Sequence, residues 1–446
     1  MQYSSSINLL ATATVLLIIS CTTRPGVRSR ELKGLVGESP VFERSFTGFA
    51  LYDTERGEMV YEYQPNKYFT PASNTKIFTL YAGLKMLGDS IPALQYQIQS
   101  DTLIFTGTGD PTFLHPDIQR IDTTYENQVY QFLKNSDRKL VYVERPTTDD
   151  YFGPGWAWGD YNYYYSSEKS VFPIYANVVR FQFKENIAKP FPYPRYFNSF
   201  VQGFPNANQP SYLRRDRHQN AFYYGAKPDT LAFARDVPFI QSASLVLDLL
   251  QDTLKQRVSR LPDYPGEFTD TLYSLPADSV YQRMMQLSDN FIAEQLLLVC
   301  SSTQQDTLSS EWTIDYVTEN YLSNLPDKPI WVDGSGLSRY NLQTPRSIVA
   351  LLQKVDEELA DERIKTIFPA GGVSGTIEHW YGNPGGAPYV FAKTGTLSNK
   401  HALSGFLFTR SGKKLIFSFM HNNYITSSSV LKVEMEQVLR KLYEEY

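Results

Sequence analysis

Cysteine is nearly absent. Only Cys21 and Cys300 occur in 446 residues, so no disulfide framework holds this chain together. Cys300 lies in the apolar run Leu296-Leu297-Leu298-Val299, where a thiol reads as buried and inert. No long run of one charge sign occurs and the net charge is −5 with mixed signs, which argues against a nucleic-acid binder. The five histidines (115, 218, 379, 401 and 421) form no H-E-x-x-H and there is no cysteine pair, so neither a metal nor a cofactor is expected. His401, close to Lys393, reads as a packing or loop residue near any site built there. G-x-S-x-G is also missing, which argues against a Ser-His-Asp hydrolase. Gly107-Thr108-Gly109 is not a G-x-G-x-x-G, and Pro111 bars a helix from continuing it; a tight turn is expected, not a phosphate cradle.

What is present is a chain long enough for roughly three domains, 42% hydrophobic and rich in tyrosine and phenylalanine. Most of those aromatics are expected in cores. Leu9 to Ile19 is apolar apart from Thr12 and Thr14, and is too short to span a bilayer comfortably. It reads as the core of a signal peptide over residues 1–20. Ile18-Ile19-Ser20-Cys21 resembles a bacterial lipobox, which would leave Cys21 lipidated, with residues 21–45 as a polar tether. A cleaved leader with an incidental cysteine is the alternative.

Phe49 to Asp53 and Met59 to Tyr63 read as a hairpin around Glu55-Arg56-Gly57. Apolar spacing from Ile77 to Leu87 then predicts a helix beginning near Ser73. Residues 93–235 change texture. Short alternating runs such as Val178 to Phe183 and Ala221 to Tyr224 predict β-rich units, separated by loop such as Gly153 to Trp158. Helical periodicity returns at Ser242 to Leu254, Ala277 to Leu287 and Phe291 to Val299, and Thr344-Pro345 predicts another helix start. Three strands (Tyr389 to Thr396, Leu403 to Phe408, Leu415 to Met420) and a helix from Val430 close the chain. With the first hairpin they make about five antiparallel strands covered by helices, an α+β layer architecture.

Ser73 and Lys76 stand three residues apart at a helix start. A hydroxyl beside an amine makes a nucleophile with its own base, provided the amine is held neutral. The same spacing recurs at Ser136/Lys139, Ser166/Lys169 and Ser411/Lys414, so spacing alone does not select the site. What selects Ser73 is the rest of the chain. Ser288-Asp289-Asn290 follows it between two helices, and Lys393-Thr394-Gly395 follows on a strand.

These three motifs, in this order, resemble those of penicillin-binding proteins and class A β-lactamases. The long gap between Ser73 and Ser288 leaves room for an insert that a compact β-lactamase does not carry. The chain therefore resembles the class C low-molecular-mass penicillin-binding proteins, D-alanyl-D-alanine carboxypeptidases/endopeptidases. Further matching patches are Gly107 to Thr112, Gly155-Trp156, Ala293-Glu294-Gln295-Leu296, Asp333 to Arg339 and Gly372 to Thr376.

The resemblance implies a penicillin-binding catalytic domain over residues 46–92 and 236–446, carrying two nested β-rich domains at 93–175 and 176–235. It implies Ser73 as nucleophile, Lys76 as base and Ser288 as proton relay. It implies Asn290, Lys393, Thr394 and Gly395 as substrate contacts, with the N–H groups of Ser73 and Thr396 as oxyanion donors. Peptidoglycan stem peptides would be the substrate, β-lactams covalent inhibitors, and the bacterial cell envelope the location, with Cys21 as membrane anchor. The alternatives are a catalytically silent cell-wall-binding lipoprotein and a β-lactamase. The intact Ser73, Lys76, Ser288 and Lys393 argue against the first, and the insert against the second.

Overall fold

The computed structural model describes residues 29–118, 127–185, 187, 189–204, 213–225 and 232–446. The expected signal peptide and Cys21 lie outside the described residues. The first hairpin and the last three strands form one antiparallel five-stranded sheet. Its spatial order is Val390–Leu397, Lys400–Phe408, Lys414–Asn422, Phe46–Asp53, Glu58–Tyr63. The central strands are buried along nearly their whole length, which explains runs such as Leu415 to Met420, apolar on both faces. One face packs on the Ser428–Glu445 helix through Leu431, Met435 and Leu439. The other packs on the helices Lys76–Met86, Asn290–Ser302 and Pro345–Glu358. The α+β architecture is as expected.

Helix starts follow local capping chemistry. Asp289 and Thr344 side chains accept backbone N–H groups of Ile292 and Ser347, and Pro345 takes the first helical position, where a missing N–H costs nothing. The helix expected to begin at Ser73 begins instead at Lys76. Ala72–Thr75 forms a 3₁₀ turn before it, entered through Ala72 at φ 49°. The expected tether is also corrected. Leu32, Val36 and Phe42 are buried in the core beneath the Ser428–Glu445 helix, so residues 30–45 are folded onto the sheet. These apolar anchors outweigh the polar residues between them.

The insert leaves the half that carries the terminal sheet through Ser90–Gln99 and returns through Asp270–Pro276. These two strands pair with each other, and Ala277 N–H donates to the Asp89 carbonyl at 2.8 Å, so entry and exit are neighbours. With Thr102–Gly107, Lys139–Val143 and Val258–Leu261 they form a mixed five-stranded sheet. Two small three-stranded sheets accompany it, built on Val178–Phe183 and Phe222–Tyr224. The apolar residues of all three sheets, among them Phe105, Phe181 and Phe222, meet in one cluster. The Ala243–Leu254 helix adds Leu249 and Leu250 to that cluster. The sequence reading returned residues 236–276 to the catalytic half. They instead complete the inserted sheet and its core, because their apolar positions find partners there. Among the described residues no helix is long and apolar enough to cross a membrane.

Candidate active site

The turn before the Lys76–Met86 helix is wedged between two glycines. A Cβ on Gly395 would stand 2.3 Å from the Pro71 carbonyl oxygen, and one on Gly336 would stand 1.9 Å from that of Ala72. Only bare backbone fits at either place. Gly395 thus brings the Val390–Leu397 strand against the N–H groups of Ser73 and Asn74, and Gly336 brings the 333–338 loop against the opposite side. Asn74 Nδ2 fastens the first contact by donating to the Lys393 carbonyl at 2.8 Å.

This crowding buries Lys76 completely. Its Nζ donates to Ser73 Oγ at 3.1 Å, Asn290 Oδ1 at 2.7 Å and the Ser335 carbonyl at 2.7 Å. An ammonium has three N–H donors, and all are used. Burial pulls the Lys76 amine down to about 8, against the opposing pull of the Glu294, Asp333 and Asp289 carboxylates. Of the four lysines with the same spacing, this one reaches its serine. Lys139 pairs with Asp101, Lys169 with Asp149, and Lys414 with Asp356 and Asp361.

The second motif sits between two helices. Ser288 is held at φ 56°, in the left-handed region that favours glycine, so its placement is costly. Its Oγ accepts from Lys393 Nζ at 2.9 Å. Lys393 also donates to the Thr394 carbonyl, and burial, then the neighbouring Lys76, hold its amine well below the usual lysine range. Asn290 has both ends of its amide engaged: Oδ1 accepts a hydrogen bond from Lys76 Nζ and Nδ2 donates to the Tyr165 carbonyl of the insert at 3.0 Å. Its first task here is to orient Lys76. Thr394 Oγ1 shares a 2.7 Å hydrogen bond with Thr376 Oγ1. Thr396 is exposed, and its hydroxyl meets His401 Nδ1 at 2.9 Å on the adjoining strand. His401 is buried, which pulls its imidazole down to about 3 and keeps it neutral.

The structure therefore brings together Ser73, Lys76, Ser288, Asn290 and Lys393, with Thr394, Gly395 and Thr396 along one edge. It also uses residues to which the sequence reading assigned no role. Glu294 accepts the N–H groups of Gly334 and Ser335, which aims the Ser335 carbonyl at Lys76. Burial, then the Asp333 carboxylate, push the Glu294 carboxyl upward. Asp333 accepts from Gly336 N–H, Ser338 N–H, Asn341 Nδ2 and Trp156 Nε1. Glu294 lies four residues beyond Asn290, on the same helix face, and that spacing was a readable signal. The contribution of Tyr165 is a backbone carbonyl and leaves no trace in the letters.

A serine hydroxyl beside a buried, easily neutralised amine is equipped for acyl transfer, and a second buried amine nearby suits a carboxylate. The model of the D-Ala-D-Ala carboxypeptidase 3 (S13) family matches residues 29–443. The D-alanyl-D-alanine carboxypeptidase DacB of Haemophilus influenzae is 25% identical over 448 residues, covering 90% of this chain and 91% of that protein. The crystal structure of penicillin binding protein 4 from the same organism superimposes with a TM-score of 0.71 at 22% identity, covering 94% of this chain and all of the other. Its complex with a β-lactam gives 0.67 at 20% identity over the same shares.

Gly395→Ala is expected to destabilise the fold by roughly 1–3 kcal/mol through overpacking. Chemical denaturation measures this, and a stability equal to that of the parent would refute the close approach.

Proposed function

The chain belongs to the D-Ala-D-Ala carboxypeptidase 3 (S13) family, and from that premise we propose that it is a serine-type D-alanyl-D-alanine carboxypeptidase/endopeptidase acting on peptidoglycan stem peptides, with Ser73 as nucleophile. The observation that carries the assignment of Ser73 is the 3.1 Å contact between its hydroxyl and the buried Lys76 amine. Once Lys76 loses a proton, its two remaining N–H groups serve Asn290 Oδ1 and the Ser335 carbonyl, and the lone pair turns to the Ser73 hydroxyl. Ser73 Oγ then attacks the carbonyl carbon of the D-Ala-D-Ala bond and its proton passes to Lys76. The N–H groups of Ser73 and Thr396 receive the oxyanion. The C–N bond breaks as the proton reaches the leaving amine, with the Ser288 hydroxyl as relay. Water then hydrolyses the acyl-enzyme.

Lys393 is the anchor for the terminal carboxylate in this reading, with Thr394 beside it. A substrate carboxylate favours the protonated amine that burial otherwise opposes. β-Lactams would acylate Ser73 and leave slowly. The catalytic half is residues 30–89 and 277–446, around the insert at 90–276. The protein works in the bacterial cell envelope, on the periplasmic side, held to a membrane through a lipid on Cys21.

Fluorescent penicillin is expected to label the parent and not Ser73→Ala, while a peptide ending in D-Ala-D-Ala releases D-alanine only with the parent. Equal labelling of the two, or of neither, refutes the site, and fast β-lactam turnover identifies a β-lactamase instead. The acylation rate should rise with pH around a midpoint of about 8, as Lys76 becomes neutral. Lys76→Arg, charged throughout, should abolish the rise along with the rate. A profile flat through that interval removes Lys76 as the base. Mass spectrometry of the mature protein should find acyl chains on Cys21, and an unmodified N-terminus ends the anchor.

A further inference from the structure

Behind the loop that carries Trp156 lies a second cavity, of about 460 Å³, within the size range of small-molecule sites. Its walls include Trp156, Trp158, Tyr161, Glu168, Arg215 and Arg217. Arg215 is the unusual member. Only 1% of it is exposed, yet its guanidinium makes one hydrogen bond, to the Asp216 carbonyl at 3.2 Å. Its buried Nε has no partner, and no carboxylate forms an ion pair with it among the described residues. A guanidinium has five donors in a fixed fork, and burying it unpaired is expensive.

The surroundings indicate what would pair with it. The Arg215 guanidinium lies 5.2 Å from the Tyr161 ring centre, and that of Arg217 lies 4.1 Å from the Trp158 ring centre at the exposed rim. Glu168 also faces the cavity and its charge partly offsets that of Arg215, but the two form no ion pair, and Oε2 accepts the Gln241 N–H at 2.6 Å. Two guanidiniums against one carboxylate leave an excess of positive charge between flat aromatic walls. We infer that this cavity binds a small carboxylate with a flat apolar body, its oxygens on Arg215 and its body against the aromatic walls. Bidentate carboxylate pairing is what the idle fork is shaped for. None of Ser73, Lys76, Ser288, Asn290 and Lys393 lines this cavity, but Trp156, which does, donates through Nε1 to Asp333 Oδ2 at 2.9 Å, in the loop that presents the Ser335 carbonyl to Lys76.

Benzoate is the probe, titrated calorimetrically into the full-length protein. Saturable binding to the parent is expected, with none for benzamide, which has the same shape without the charge. Arg215→Met should weaken benzoate about tenfold or more, the loss expected for a charge-assisted bidentate contact. Because Arg215 is buried, Arg217→Ala at the exposed rim serves as the second variant. It should weaken benzoate severalfold with an unchanged melting temperature. Protein acylated beforehand with penicillin should bind benzoate as the parent does. Absence of saturable binding to the folded parent, unchanged affinity in both variants, or loss of binding on acylation would overturn the proposal.

Discussion

A single amine organises the half that carries the terminal sheet. Lys76 is buried with each of its three protons assigned, to a hydroxyl, a side-chain amide and a backbone carbonyl. Burying a cation is costly unless its donors are satisfied, and here each acceptor is brought to the amine by a different part of the chain. Ser73 comes from the preceding turn, Asn290 from the start of the Asn290–Ser302 helix, and Ser335 from the 333–338 loop. The same burial that demands these partners lowers the cost of losing the proton. Structural tension and chemical readiness are one property here, since both follow from removing water around one nitrogen.

The insert belongs to this arrangement. Asn290 reaches Lys76 with one end of its amide and the insert's Tyr165 carbonyl with the other. Farther back, Arg283 bridges Asp289, in the middle of the Ser288-Asp289-Asn290 motif, and Asp117 of the insert, which in turn pairs with Arg180; Arg180 also holds Asp236. Asp289 stays well below the usual carboxylate range despite its burial, because His115 and Arg283 favour the charged form. This chain of alternating charges fixes the insert to the very segment that presents Ser288 and Asn290.

Much of this was legible in the letters, for identifiable reasons. The terminal sheet followed from alternation and continuous apolar runs, and its helices from 3.6-residue spacing. Ser73, Lys76, Ser288, Asn290 and Lys393 carried their chemistry in their residue types, and their order along the chain separated them from three other serine–lysine pairs. What was not legible depends on backbone. The Ser335 and Tyr165 carbonyls have no side-chain signature. Residues 30–45 looked polar because the fully buried anchors, Leu32, Val36 and Phe42, are scattered among polar residues. Residues 236–276 have helix and strand patterns that fit either half, and only pairing with Lys139–Val143 and Ser90–Gln99 assigns them.

The neck at Asp89 and Ala277, where the outgoing and returning backbones touch, has a genealogical consequence. A segment attached at two adjacent points can be acquired, exchanged or shed in one recombination event without opening the terminal sheet. Such a graft is neutral neither for folding nor for chemistry, because Asp117 supplies a partner to the buried Arg283 and Tyr165 an acceptor to the lysine's orienting amide. Lineages of this architecture are therefore free to remodel the outer surface of the graft, while the few residues around Tyr165 must keep their backbone course.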